Sequence, residues 1–200
     1  MAKNIYVSDG EYSLVKFTEE DKDNYMKLMF PENSTSEFYK KEENRELFWR
    51  VTRDLDEIDY SIYNSADEYC GNIELKHYDT ATPEIGIDLL ESYRNKGIAG
   101  RTIKLLAKKY YEDIENIEYF VLKVSSYNQH SKHMIEKLGA EFIGEEETLL
   151  QRSVRIAKEH LGEDVYEKTR EEYQIEYGMS LEEQEEVVYI YRLMPEVFLK

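Results

Sequence analysis

Between Glu84 and Ile143 the apolar residues change period repeatedly, and this narrows the folds open to the chain. Glu84 to Leu90 alternates polar and apolar residues, which is a strand pattern. Glu91 to Gly100 is a polar turn carrying Gly97 and Gly100. Ile98, Thr102, Leu105, Leu106 and Tyr110 then recur at helical spacing over Ile98–Tyr111. Tyr119–Val124 is β-rich, Asn128–Leu138 is helical and closed by Gly139, and Phe142 and Ile143 open another strand. This strand–helix–strand–helix–strand order predicts an α/β (α+β) fold around a mixed sheet.

Upstream, Tyr12–Phe17 reads as a strand, and Thr18 with Asp21 matches a capping box. A helix through Tyr25, Met26 and Met29 should stop at Pro31. Ser36 is placed to cap a second helix, with Phe48, Val51 and Leu55 as its apolar stripe. Asp59–Tyr63, Cys70–His77 and the strand from Glu84 are expected to be consecutive and antiparallel, with NSADEY as a hairpin turn. Val187–Leu193 is the last strand, ended by Pro195. The charged stretch 148–186 carries two stripes, Leu150/Val154/Ala157/Leu161 and Tyr166/Thr169/Tyr173/Tyr177, and Ser180 with Glu183 matches a second capping box. It reads as a helical insertion before the final strand. Residues 1–200 are expected to form a single domain.

Charge limits the partners. The 43 acidic residues against 26 Lys and Arg leave a formal net charge of −17. Such a surface repels nucleic acid and anionic membrane, and draws cationic solutes. No stretch has the length of a membrane-spanning helix, the N-terminus has no cleavable leader pattern, and the lone Cys70 cannot pair within the chain. A cytoplasmic location is the expectation. His130 and His133 share a helical face without a third ligand at a recognised spacing, so no metal site is expected. His77 on its strand and Trp49, with Phe48, Val51 and Tyr39 nearby, are candidates for the substrate side or for plain packing.

The turn Tyr93-Arg94-Asn95-Lys96-Gly97-Ile98-Ala99-Gly100-Arg101 runs from a strand into a helix. Helix N-termini offer unpaired N–H groups and partial positive charge, so such a turn suits a phosphate or pyrophosphate. Gly97 and Gly100 permit close backbone approach, and Arg94, Lys96, Arg101 and Lys104 invert the local sign of charge. Neither G-x-x-x-x-G-K-[ST] nor G-x-G-x-x-G is present.

Arg94-x-x-Gly97-x-Ala99 resembles the [RQ]-x-x-G-x-[GA] signature of the GNAT N-acetyltransferase superfamily. Glu84–Leu90 is similar to that family's fourth strand. Asn128-x-x-Ser131 with Ile135-Glu-Lys-Leu-Gly139-Ala-Glu-Phe142 is similar to its fourth helix and next strand, most of all in the RimJ/RimL-like branch. The resemblance covers about residues 84–144, and the 148–186 insertion departs from it.

The resemblance implies a mostly antiparallel central sheet flanked by helices, with the family's fourth and fifth strands splayed to admit acetyl-CoA. It implies pantetheine contacts at Ile87, Asp88, Leu89 and Asn128, with Ser131 near the cofactor, and a cofactor-binding turn of Arg94, Asn95, Lys96, Gly97, Ile98, Ala99, Gly100 and Arg101 whose main-chain amides from Lys96 to Arg101 hold the pyrophosphate. The acceptor would be a primary amine, on a small cationic molecule, an antibiotic or a protein N-terminus. It would attack the thioester directly in a ternary complex. A protonated amine needs a base; Glu84 is the candidate. Leu89 N–H would face the oxyanion. Many family members carry a tyrosine where this chain has Ile135, so the acid is open, with Tyr127 and Ser126 the nearest hydroxyls. A homodimer is a further expectation. The alternatives are a catalytically weak acyl-CoA-binding sensor or interaction module, and an unrelated nucleotide-binding α/β domain.

Overall fold

A computed structural model describes residues 3–31, 41–177 and 186–199. The expected cap Ser36, the Tyr39 ring and the Ser180/Glu183 capping box lie outside the described residues. The chain forms two compact units, Met1–Val121 with Met194–Lys200, and Leu122–Leu193. Among the described residues the architecture is mixed α/β, with eight strands, mostly antiparallel, flanked by helices.

The first unit contains β1 (Ile5–Ser8), β2 (Tyr12–Lys16), α1 (Lys22–Met29), α2 (Glu42–Asp54), β3 (Ile58–Asn64), β4 (Tyr69–Lys76), β5 (Glu84–Leu89), α3 (Ile98–Asp113) and the start of β6 (Phe120–Ser125). Strands β1 to β5 lie side by side in sequence order and antiparallel. β6 starts parallel to β5 through Glu84 opposite Val121, with Val121 N–H donating to Pro83 O at 2.8 Å. β1 was not foreseen, because four residues after a polar N-terminus carry too little periodicity.

Alternation gives this sheet two unlike faces. Leu14, Ile62, Ile73, Leu75 and Ile85 form a buried apolar layer. α3 packs on this unit's sheet and presents Ile98, Ile103, Leu106, Ala107 and Tyr110, all buried. Ile98, Ile103 and Leu106 each contribute roughly 1.5–3 kcal/mol through burial. Tyr110, Phe120 and Phe198, the last from the C-terminal turn Pro195–Phe198, stack edge to face.

The opposite face carries Asp59 and Ser61 on β3, Asn72, Glu74 and Lys76 on β4, and Glu84, Gly86 and Asp88 on β5, which are neighbours in the register. Beside it, α1 and α2 contribute Tyr25, Met26, Leu28 and Trp49 to a cluster with Val15, Phe17, Tyr63 and Tyr69. Thr18 and Asp21 form the expected capping box at the 3₁₀ turn before α1. The expected α2 stripe is corrected: Val51 and Leu55 are exposed, and Trp49 and Thr52 are buried instead. Val51 is two positions, roughly 200°, from Trp49 around a helix. His77 is also moved: it leaves β4 in a left-handed turn, φ 51°, and is exposed.

The second unit contains the rest of β6, α4 (Gln129–Leu138), β7 (Glu141–Glu147), α5 (Leu149–Leu161), α6 (Glu163–Tyr177) and β8 (Val187–Leu193). β8 lies between β6 and β7 and is antiparallel to β7. Ser126 N–H donates to Val187 O at 2.8 Å. The expected helical insertion is present as α5 and α6, with a capping box between Thr148 and Gln151 opening α5. Leu161 on its expected stripe is exposed.

Candidate active site

The turn after β5 is built from local backbone chemistry. Glu91–Tyr93 forms a 3₁₀ turn, in which Tyr93 N–H donates to Leu90 O at 2.9 Å. Asn95 and Gly97 both adopt left-handed conformations, with φ of 60° and 77°. Asparagine and glycine tolerate that region best. The chain then enters α3 with no side-chain cap on the first turn. Helix geometry leaves the N–H groups of Ile98, Ala99 and Gly100 without an intrahelical acceptor. Arg101 N–H, by contrast, already donates to Gly97 O at 3.2 Å. Three amides are therefore left without intrahelical partners at the positive end of a sixteen-residue helix, directly after the exposed residues 94–97.

The basic side chains are more engaged than the sequence suggests. Arg94 Nε donates to Leu89 O at 2.9 Å, tying the turn back to β5. Arg101 is paired with Asp9 and Glu11, so the local excess of positive charge is smaller than expected. Lys96 Nζ lies 5.3 Å from the Tyr93 ring centroid, and the Tyr93 hydroxyl donates to Glu68 at 3.0 Å.

The register settles which main-chain groups of β5 are turned outward. Leu90 N–H donates to Cys70 O at 3.0 Å. By antiparallel alternation the pairs Asn72/Asp88, Glu74/Gly86 and Lys76/Glu84 are then the hydrogen-bonded ones. Ile85, Ile87 and Leu89 direct their N–H and C=O groups to the opposite edge. Of the three backbone positions expected to meet pantetheine, Ile87 and Leu89 face that edge, and Asp88 faces β4.

Asp88 instead contributes a carboxyl to the polar face. Surrounding protein mass, and then the nearby Glu74 carboxylate, push its pKa up, although its side chain keeps access to solvent; Arg94 and Lys76 oppose the rise. Burial likewise raises Asp59, whose Oδ1 accepts from Asn72 Nδ2 at 2.9 Å. Tyr25 is held protonated by burial and by Asp59, Glu74 and Asp88. Lys76 Nζ sits 2.7 Å from Glu74 Oε1. Glu84, the expected base, is half-buried at the start of β5 on this same face. Of these carboxylates Asp59 also lines a cavity of about 720 Å³, together with Tyr6, Phe17, Arg53, Glu57 and Lys109.

In the second unit, Asn128 caps α4: its Oδ1 accepts from Ser131 N–H at 3.0 Å. The Asn128-x-x-Ser131 spacing thus has a structural use. Tyr127 is exposed, and its N–H donates to Ser125 Oγ at 3.2 Å. Ser126 Oγ accepts from Val187 N–H. Ile135 is buried. His130 and His133 are exposed, and no cluster of three or more His, Cys, Asp or Glu among the described residues could hold a metal.

Comparison with known proteins decides the family. The model described as the acetyltransferase (GNAT) domain matches residues 12–141. The chain belongs to the GNAT acetyltransferase family. Acyl transfer from acetyl-CoA is that family's general activity, so this GNAT protein is an acyltransferase. Among solved structures it resembles a chimera of the Vibrio cholerae spermidine N-acetyltransferase SpeG with hSSAT, at 16% identity and TM-score 0.61, covering 95% of this chain and 99% of that one. A single-site mutant of Vibrio cholerae SpeG matches at 17% identity and TM-score 0.60 over 96% and 98% of the two chains. SpeG crystallised with manganese ions matches at 16% identity and TM-score 0.60 over 94% and 95%. These likenesses show a shared fold. No curated protein sequence matches the chain.

Polar residues that sequence reasoning missed are Asp59, Ser61, Asn72 and Glu74. Their signal was available: they occupy alternate positions in two strands whose intervening residues are apolar.

Proposed function

We propose that this GNAT protein transfers the acetyl group of acetyl-CoA to a primary amine, by direct attack in a ternary complex. The observation that carries the reading is the start of α3, where three amides without intrahelical acceptors follow a left-handed Gly97. Main-chain N–H groups there would hold an anion. Acetyl-CoA supplies the activated thioester. Arg94, Asn95, Lys96, Gly97, Ile98, Ala99, Gly100 and Arg101 are the proposed diphosphate turn, with Ile98, Ala99 and Gly100 giving the main-chain donors. Ile87 and Leu89 would pair with pantetheine, and Asn128 and Ser131 are further proposed contacts.

The acceptor is proposed to be a small cationic amine ahead of an antibiotic or a protein N-terminus. The net charge of −17 and the carboxylates of the polar face favour a cation. The spermidine acetyltransferases among the fold's relatives act on such an amine. Glu84 is the proposed base on β5, acting through water, and Tyr127 the proposed acid. Assignment to the RimJ/RimL-like branch, one catalytic domain with residues 148–186 inserted, a homodimer and a cytoplasmic location complete the reading. No described helix is long and apolar enough to cross a membrane.

A second reading is a module that binds acyl-CoA with little turnover. It draws on Ile135, a buried apolar residue where many relatives carry a tyrosine. Thiol release from acetyl-CoA over a panel of amines tests both. Release with at least one amine supports the enzyme; tight binding without release on any supports the module.

A further inference from the structure

Glu74 lies in a place that the reaction proposed above leaves unused. Its register partner on β5 is Gly86. A Cβ at Gly86 would meet Glu74 Oε1 and lie 2.9 Å from Glu74 Cγ. The carboxylate is therefore laid over β5 itself, in space that only a glycine leaves open. Beneath it runs the strand whose outer edge presents the main chain of Ile87 and Leu89.

The surroundings hold buried polar atoms without protein partners. Among the described residues, the buried Asn72 Oδ1, Ser61 Oγ and Tyr69 OH have no hydrogen-bond partner. Asn72 and Ser61 are 3% and 0% exposed and sit opposite each other in the register, one step from the Asp59/Glu74 pair. Buried polar atoms are almost always partnered. Carboxylates and a side-chain carbonyl accept only, and a hydroxyl can accept as well. An ammonium, with three N–H donors, has the complementary chemistry.

We propose that Glu74 takes the proton from the acceptor's ammonium, from its seat across Gly86, and so readies the amine for attack. This rests on the acetyltransferase reading and adds to it a base and the ammonium subsite. Oε1 is engaged by Lys76. One N–H bond of the ammonium breaks and its proton passes to Oε2. The nitrogen lone pair then forms the C–N bond at the thioester carbonyl, and the C–S bond breaks. The second nitrogen proton leaves with the sulfur as thiol, and Glu74 returns its proton to solvent. Glu84, further along the same face, is placed to receive it through water.

The groups facing Glu74 are Asp59 and Glu57 from β3 and the turn before it, Lys76 from its own strand, Glu84 and Asp88 from β5, Arg53 from α2 and Tyr25 from α1.

The test uses the full chain, with spermidine, an aminoglycoside and a peptide with a free N-terminus as acceptors. Acetyl-CoA affinity and melting temperature are recorded alongside the pH profile of kcat/KM for the best acceptor. Glu74→Gln is expected to lower kcat/KM by about 100-fold or more, to remove the acidic limb of the profile, and to leave acetyl-CoA affinity unchanged. Gly86→Ala, which displaces the carboxylate, should cost at least about tenfold with the limb moved. Retention of the wild-type limb in Glu74→Gln, or its loss only in Glu84→Gln, would overturn the assignment alone. A wild-type protein that binds no acetyl-CoA, or acetylates none of the three acceptors, would overturn the acetyltransferase reading together with it.

Discussion

Asp88 and Asp59 illustrate how residue-scale electrostatics make stability depend on pH. Both carboxyls have native pKa values above the unfolded value, from burial first and then from Glu74 for Asp88. The native state therefore binds these protons more tightly than the unfolded chain. Stability falls as pH rises between the unfolded and native values. Asp88→Asn is accordingly expected to raise the melting temperature near pH 7, and the gain should vanish as pH falls below the unfolded carboxyl range of about 4. Calorimetric melts across that range check the sign. Cys70 makes a second residue-scale case: burial pushes its thiol up to about 11. It should resist alkylation in the native protein at pH 8 and react at once in denaturant, followed by mass. Asp88 was named from sequence for its main chain and proves to offer its side chain. Glu74 stayed hidden because a glutamate in a hairpin strand reads as solvated. Only the register shows Gly86 beside it.

The start of α3 holds the functional case at the scale of elements. A Cβ at Gly97 would meet nothing within 4 Å, so substitution there is opposed by backbone conformation and not by packing. A left-handed conformation costs an L-residue about 1–2 kcal/mol. Gly97→Val is expected to lower stability by roughly that amount and to weaken acetyl-CoA binding, because the three amides lose their aim. Thermal melts and titration calorimetry report the two effects separately. This element was legible from sequence, since glycine, helical stripe and preceding strand agree. So were the Thr18/Asp21 cap and the Gly139 stop, which rest on local backbone chemistry. The buried side of α2 was not, because Phe48, Trp49, Val51 and Leu55 surround much of the helix. Tertiary packing, with Trp49 against Phe17 and Tyr25, chose among them. Arg101 shows the same limit: its pairings with Asp9 and Glu11 span 92 and 90 positions of sequence.

Over the whole chain, the net charge of −17 and the carboxylate-rich face make a common prediction. Uptake of a cationic acceptor should weaken as salt rises, since screening shortens the reach of exposed charges to about 8 Å at 0.15 M. The KM for the amine should therefore climb with ionic strength while kcat holds, in steady-state assays at several salt concentrations. Two compact units share the chain, and the turn proposed to hold the diphosphate lies wholly within the first. The central claim is that main-chain amides at the head of α3 seat the diphosphate of acetyl-CoA. Titration calorimetry with acetyl-CoA and with acetyl-pantetheine, which lacks the diphosphate, tests it most directly. Saturable binding of acetyl-CoA, with acetyl-pantetheine weaker by about 100-fold or roughly 2.7 kcal/mol, is the predicted result. Equal affinity for the two, or no heat from either, would contradict it.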